Sequence, residues 1–390
     1  MPGKTHPMDA KAQLEAIVKL KSILLSAIFL LSALTICAAQ VPHSRHVVVV
    51  VEENHGYSSV IGNGAMPYLN SLASKYGLAT QYYANTHPSI GNYFMMTTGQ
   101  IITNDDGYGG TVSADNLVRH LLNGGLTWKS YAEGLPYVGY TGGDSGLYIR
   151  HHNPFTYFSD VLNSQVQKQN LVPFTRFAQD LTNQALPDIS FVIPNRDDDA
   201  HDGSLQQADA WLKNNIAPLL GNSGFKQDGI LIILFDEASS SDQQHGGGHV
   251  AAVVVGPKVI PGGRSSTLHQ HQSLLRTIGE AVGLSSFPGA AQSSNDMAEL
   301  FQNSAGYGVF VSSPANNSYD SNPVHFVATA KSNYPIVAMA IYVDNSLYWK
   351  QNVSSINTSL TLPTGGHYVV VQAWDQQQKV YKAALNITVH

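Results

Sequence analysis

Cysteine is almost missing from this sequence. The 390 residues hold one, Cys37, so no internal disulfide can form, and with the segment that carries it removed no thiolate-held metal site could form either. Charge is scarce as well: 12% of the residues are Asp, Glu, Lys or Arg, and acids outnumber bases 27 to 21. That balance excludes general binding to nucleic-acid backbones, which needs clustered Lys and Arg, but leaves room for a small phosphorylated substrate at a local site. Beyond the first forty residues no apolar run approaches the roughly 20 residues of a membrane-spanning helix. Hydrophobic residues make up 43%, so the chain is globular rather than disordered.

What is present begins with a targeting pattern. Lys4, Lys11, Lys19 and Lys21 precede the apolar stretch 22–34, and Cys37-Ala38-Ala39 offers a small-residue cleavage site. Residues 1–40 are therefore expected to be a signal peptide, with an uncleaved N-terminal anchor as the alternative, and the protein to be secreted or periplasmic. Removing them takes four Lys and two acids from 21 and 27, leaving 17 against 25, a net charge of −8.

The chain is organised around His46–His55, HVVVVVEENH. Five valines in a row suit a strand buried on both faces, as in the middle of a parallel sheet. The run ends on Glu52, Glu53, Asn54 and His55, and ligands of open α/β sheets bind just outside the carboxyl ends of strands. The pattern repeats. The apolar 188–194 leads into Asn195, Arg196, Asp197, Asp198, Asp199, His201 and Asp202. The apolar 229–235 leads into Asp236 and Glu237, and Gly246-Gly247-Gly248-His249 returns to a further strand over 250–256.

Between these, Thr86-His87-Pro88-Ser89 forms a turn, and 90–98 reads as an apolar helix closing on Gly99. Ser89 at that start is either a helix cap or a hydroxyl beside free N–H groups and a positive dipole end, able to attack phosphorus. Helices are also expected over 113–122, 172–184, 205–220 and 273–282. His151 and His152 fall in an aromatic loop that either packs or covers a site. His271 is as readily a helix cap as a catalytic group. Strands alternating with helices to about residue 301 predict an α/β domain with a three-layer, mostly parallel sheet covered by helices. From 309 onward, short alternating runs such as VHFVATA and HYVVVQAWD predict a small all-β, immunoglobulin-like sandwich. The expected domains are 41–305 and 306–390. Trp349 and Trp374 are expected to pack there, with a sugar platform left open.

Carboxylates, an amide and imidazoles beside a hydroxyl are the parts of phosphoryl transfer, in which a divalent cation neutralises phosphate charge. Oxygen ligands favour a hard or borderline cation. A sulfatase would need a Cys/Ser-x-Pro-x-Arg setting, which this sequence lacks.

Six motifs occur in order: Glu-Asn-His, His-Pro-Ser-Ile-Gly-Asn-Tyr, Arg-His-His-Asn-Pro-Phe, Pro-Asn-Arg-Asp-Asp-Asp-Ala-His-Asp, Phe-Asp-Glu-Ala and His-Gln-Ser-Leu-Leu-Arg-Thr-Ile. Over residues 47–300 the chain thereby resembles the phosphoesterase family of secreted bacterial and fungal acid phosphatases and phospholipases C, in the alkaline phosphatase superfamily. The resemblance implies Ser89 as the nucleophile. It implies Glu53, Asn54, Asp236 and Glu237, with Ser89, as ligands of one divalent metal ion. His201, His152 and His249 would contact phosphate or act as acid, and Asn92, His87 and Asp199 are the expected substrate contacts. Two departures stand out: Gly91 where the family usually has proline, and Asn195 where two-metal relatives have an aspartate. The expected activity is hydrolysis of phosphate monoesters through a phosphoserine. The alternatives are a phospholipase C-type diesterase and an inactive secreted binding protein. The C-terminal domain is expected to contact a cell surface or polymer.

Overall fold

The computed structural model describes residues 40–302, 308–332 and 334–390. The expected signal peptide, with Cys37, lies outside the described residues. Among those residues no helix is long and apolar enough to cross a membrane.

The first strand, β1 (Val47–Glu52), sits inside an eight-stranded sheet with β2 (Gly77–Ala79), β3 (Trp128–Ala132), β4 (Leu171–Pro173), β5 (Ile189–Ile193), β6 (Ile230–Phe235), β7 (Ala252–Val255) and β8 (Arg264–Ser265). The order is β4-β3-β5-β1-β6-β7-β2-β8. Val49 lies opposite Phe191 of β5 on one side and Ile232 of β6 on the other, both in parallel register. All five valines are fully buried, because helices cover both faces and β-branched side chains pack well in such a layer. Only β7 breaks the parallel run, pairing antiparallel with β6 and β2. The sheet is mostly parallel, as the alternation of elements predicts. Because β5, β1 and β6 are parallel neighbours, their C-terminal ends stand side by side about 4.8 Å apart.

Several element boundaries differ from expectation. Glu52 completes β1 rather than ending it, and its carboxylate is fully buried. The helix expected from 113 starts at Leu117, because Asn116 is its cap and accepts the Arg119 N–H. The stretch 172–184 splits into β4, which pairs with β3, and the helix Thr175–Thr182; Pro173 lacks the N–H a helix interior needs. The helix begun at Leu205 passes through a π-turn, Leu212–Ile216, just before Pro218, where a missing donor forces the ladder to skip.

From Gly308 the architecture changes. Strands β9 (Gly308–Ser313), β11 (Val324–Lys331) and β14 (Ser355–Leu360) form a three-stranded sheet. Strands β10 (Ser318–Asp320), β12 (Ile336–Val343), β13 (Ser346–Gln351), β15 (Gly365–Asp375) and β16 (Val380–Val389) form a five-stranded one. One core joins them, with Phe326 and Ile356 from the first sheet and Met339, Val371 and Leu385 from the second. The result is a β-sandwich.

The helix Pro67–Lys75 has no cap of its own. Asp209, buried on a neighbouring helix, accepts the Tyr68 and Leu69 N–H groups at 2.9 and 2.8 Å. Replacing Asp209 by Ala strands two donors and is expected to cost about 1–3 kcal/mol. A urea titration checks this, and Asp209→Asn should recover part of the loss.

Candidate active site

The three strand ends meet. Glu53 N–H donates to the Asp199 carbonyl at 2.8 Å, and Asp236 N–H donates to the Glu52 carbonyl at 2.9 Å. Asn54, held at φ 61, turns its backbone N–H onto Asp236 Oδ1 at 3.1 Å. This N–H ties residue 54 to the cluster.

Ser89 opens the helix Ser89–Thr98, but Pro88 holds the cap position. The hydroxyl is therefore free of capping duty and donates to Glu53 Oε2 at 3.0 Å. Tyr93 donates to Glu53 Oε1 at 2.6 Å. Positions 89 and 93 are one helical turn apart and share a face, so a single carboxylate registers both. Tyr93 also stacks on His152, with ring centroids 5.3 Å apart.

His152 is buried between two carboxylates, with Nε2 3.4 Å from Glu53 Oε1 and Nδ1 3.4 Å from Asp199 Oδ2. Burial pushes its pKa down to about 3, so the ring is neutral and carries one N–H, which cannot serve both acids. Glu53, His152 and Asp199 each place a ligand atom within 4.8 Å of the others. His151, beside it, is pushed down to about 4, first by burial and then by the nearby His152.

Burial also drives the carboxylates toward their protonated forms. Asp236 rises to about 6, Asp199 to about 8 and Glu237 to about 9, with desolvation the largest cause in each. Glu53 and Glu52 are raised well above the usual range for the same reason, and neighbouring acids add to the effect. Asp236 Oδ2, Asp199 Oδ2 and His152 Nε2 are buried without a hydrogen bond. Orphaned oxygens and an imidazole nitrogen in a dry acidic pocket fit a hard or borderline divalent cation, whose charge would let the acids ionise.

The remaining expected residues fall into two groups. Glu237 Oε2 accepts from Asn92 Nδ2 at 3.2 Å and lies 3.1 Å from His87 Nδ1. Asn92 spends the rest of its amide on the turn before Ser89, accepting the Asn85 and Thr86 N–H groups and donating to the Thr86 carbonyl. His87 also reaches the Asp242 carbonyl through Nε2 at 2.9 Å. His201 is at the mouth, its ring centroid 5.7 Å from that of His152 and its Nδ1 2.8 Å from Asp202 Oδ1. His249 is not brought to the carboxylates: it is sandwiched between Tyr57 and Tyr83, and its Nε2 faces the Thr80 carbonyl. Asn195 is consumed in its own turn, its side chain accepting the Asp197 N–H and donating to Asp198. His271 is not the cap. Gln270 caps that helix, while buried His271 holds the Asp236 carbonyl at 2.6 Å and the Tyr82 hydroxyl at 3.2 Å.

Two contributors were not anticipated. Tyr93 could have been found by counting one turn from Ser89. Asp106 carried no such signal, since it is in a turn-forming loop sixteen residues from Ile90, whose N–H its Oδ1 accepts at 3.1 Å. In the same loop Asn104 donates to Thr86 Oγ1 at 2.9 Å. Gly91 permits this clamp, because a Cβ there would collide with Asn104 Oδ1 and Thr86 Cγ2. The glycine is thus a close-approach position.

Fold and site together define an α/β enzyme with a serine hydroxyl facing a carboxyl-rich buried cluster that could hold a metal. The phosphoesterase family profile matches residues 63–285, and the chain belongs to that family, hydrolases acting on phosphoric ester bonds. It is 34% identical over 265 residues to a phosphatidylinositol-3-phosphatase of Mycobacterium tuberculosis, across 67% of this chain and 85% of that one. It is 30% identical to a probable acid phosphatase of Kluyveromyces lactis, across 60% of this chain and 57% of that one. An acid phosphatase of Aspergillus fumigatus is also 30% identical, across 65% and 58%. The chain therefore spans less than two thirds of the two fungal relatives.

Raised carboxylate pKa values mean that folding takes up protons. In the metal-free protein the stability from these groups is full below about pH 4 and is lost as pH rises through about 6, 8 and 9 for Asp236, Asp199 and Glu237. Thermal melts in chelator should fall across that window, and an added divalent cation should flatten the decline; a flat profile in chelator contradicts the reading. Asp106→Ala should lower kcat several-fold with little change in KM, whereas Asp106→Asn, which can still accept the Ile90 N–H, should keep most of kcat. Steady-state kinetics on an aryl phosphate separates the two.

Proposed function

We propose that the chain is an exported phosphomonoesterase that works through a phosphoserine on Ser89 with one divalent cation. The observation that carries this reading is the 3.0 Å hydrogen bond from Ser89 Oγ to Glu53 Oε2 inside a cluster of buried, orphaned acids. Glu53, Asp236, Asp199 and His152 are the groups best disposed to hold the cation, with Asn54, Glu237 and Ser89 beside them, and the ion would neutralise phosphate charge and acidify the serine hydroxyl.

The chain's own residues do the rest. Glu53 Oε2 already accepts the Ser89 hydrogen, so it orients the hydroxyl and is the first acceptor of its proton. Tyr93 fixes the other side of that carboxylate by donating to Oε1. Oγ forms a bond to phosphorus as the bond to the leaving oxygen breaks, and that oxygen needs a proton. His152 is neutral and shut in. His201 is at the mouth, oriented by Asp202 through Nδ1, and its other nitrogen makes no hydrogen bond, which suits it to protonate the leaving group. A water then attacks the phosphoserine, releasing phosphate and restoring the hydroxyl. His87, Asn92 and Glu237 hold the turn from which Ser89 projects.

A small phosphate monoester is the preferred substrate class, in keeping with relatives named as phosphatases. We assign this chemistry to residues 41–305 and a non-catalytic role to 306–390.

The test is turnover of an aryl phosphate by the parent and by Ser89→Ala. The variant should lose at least about 10³-fold in kcat while keeping its metal content after dialysis. Near-parental rates would reduce Ser89 to a helix-start residue, and phosphocholine release from a lipid, with no aryl phosphate cleavage, would mean a diesterase.

A further inference from the structure

The β-sandwich carries a face that neither its core nor the active site uses. Along β15, Val369, Val371 and Ala373 are buried in the core, so Tyr368, Gln372 and Trp374 point to the opposite side. Tyr342 of β12 shares that side, one strand over, with Leu347 of β13 opposite it. Leu347 is 53% exposed and Tyr368 47%. Exposed aromatic and aliphatic side chains on one sheet face are more than scattered surface residues.

The charge on this face is of one sign. Lys350, Ala340, Gln372 and Lys382 form a single cross-strand row over β13, β12, β15 and β16. Lys350 Nζ lies 4.7 Å from the centre of the Trp374 ring. The one acid in these four strands, Asp375, is buried on the core side, where Ser332 and Tyr381 donate to it. Asp344, in the β12–β13 turn, is held by His367 and the Tyr368 N–H. In a protein of net charge −6, the outward residues of these four strands thus include aromatic rings, two lysines and no carboxylate.

We infer that this face docks an anionic polysaccharide, a polymer of sugar rings bearing carboxylate or phosphate groups. The exposed Tyr368 ring offers apolar surface to a sugar face, and the lysines, one of them seated over Trp374, offer charge-assisted hydrogen bonds to the anionic groups. The amides of Gln372 and, opposite Tyr368, Asn386 match a hydroxyl-rich partner rather than a lipid surface. The inference stands apart from the hydrolytic reading, since none of these residues touches the Ser89 site.

The experiment is native affinity electrophoresis of the full chain in gels containing polygalacturonate or neutral dextran, with co-sedimentation on phosphatidylglycerol vesicles in parallel. Polygalacturonate should retard the parent at low salt, and the retardation should be lost at high salt, where exposed charges are screened. Trp374→Ala and the double change Lys350→Glu/Lys382→Glu should each abolish it while leaving aryl phosphate hydrolysis at the parental rate. Equal mobility in all gels, equal retardation by dextran, retardation untouched by either variant, or sedimentation with vesicles alone would each overturn the proposal.

Discussion

Carboxylates crowded into a dry pocket dominate this structure. Glu53, Asp199 and Asp236 come from the ends of three adjacent parallel strands, so the register of β5, β1 and β6 decides that they meet. Two ionised groups about 4 Å apart repel by about 4 kcal/mol at an effective dielectric of 20, a large share of a domain's net stability of about 5–15 kcal/mol. The pocket resolves this by keeping protons or by taking a cation. Every neighbouring feature answers to that choice: the neutral His152 between two acids, the hydroxyls of Ser89 and Tyr93 on Glu53, and the buried His271 bracing the Asp236 backbone.

The position of Ser89 is equally a matter of packing. Ser89 follows Pro88 at the start of a helix whose ten residues are all buried. Asp106 and Asn104 press on its first turn from a loop close in sequence but of unrelated conformation. Asn92 fastens the incoming turn from within the same helix. The orientation of the Ser89 hydroxyl thus rests on rigid supports around it, the condition that the proposed reaction would need.

Much of the fold was legible. The valine run, the apolar segments before Asn195 and Asp236, and the switch to short alternating strands after residue 308 each carry a period tied to burial. The candidate site was legible where polar residues interrupt an apolar strand, as at Glu53 and Asp236. It was not legible for Asp106, whose loop spells only a turn, nor for His249, whose place after a glycine run looked like a site but is an aromatic stack with Tyr57 and Tyr83. Asn104 and Gly91 show the same limit, since a collision between two side chains leaves no periodic trace.

By itself the amino-acid sequence determined most of the strands and helices and which strand ends carry polar clusters, though not that 172–184 divides into a strand and a helix, because burial imposes local periods of two or 3.6 residues. It also determined that no disulfide can form within the chain. Only the tertiary structure decided that β5 and β6 flank β1, that Ser89 turns to Glu53 instead of capping its helix, and that His152 sits between two acids while His249 does not. Those outcomes depend on contacts between residues distant along the chain, whose energies are set by desolvation and packing in three dimensions and leave no mark on the order of the residues.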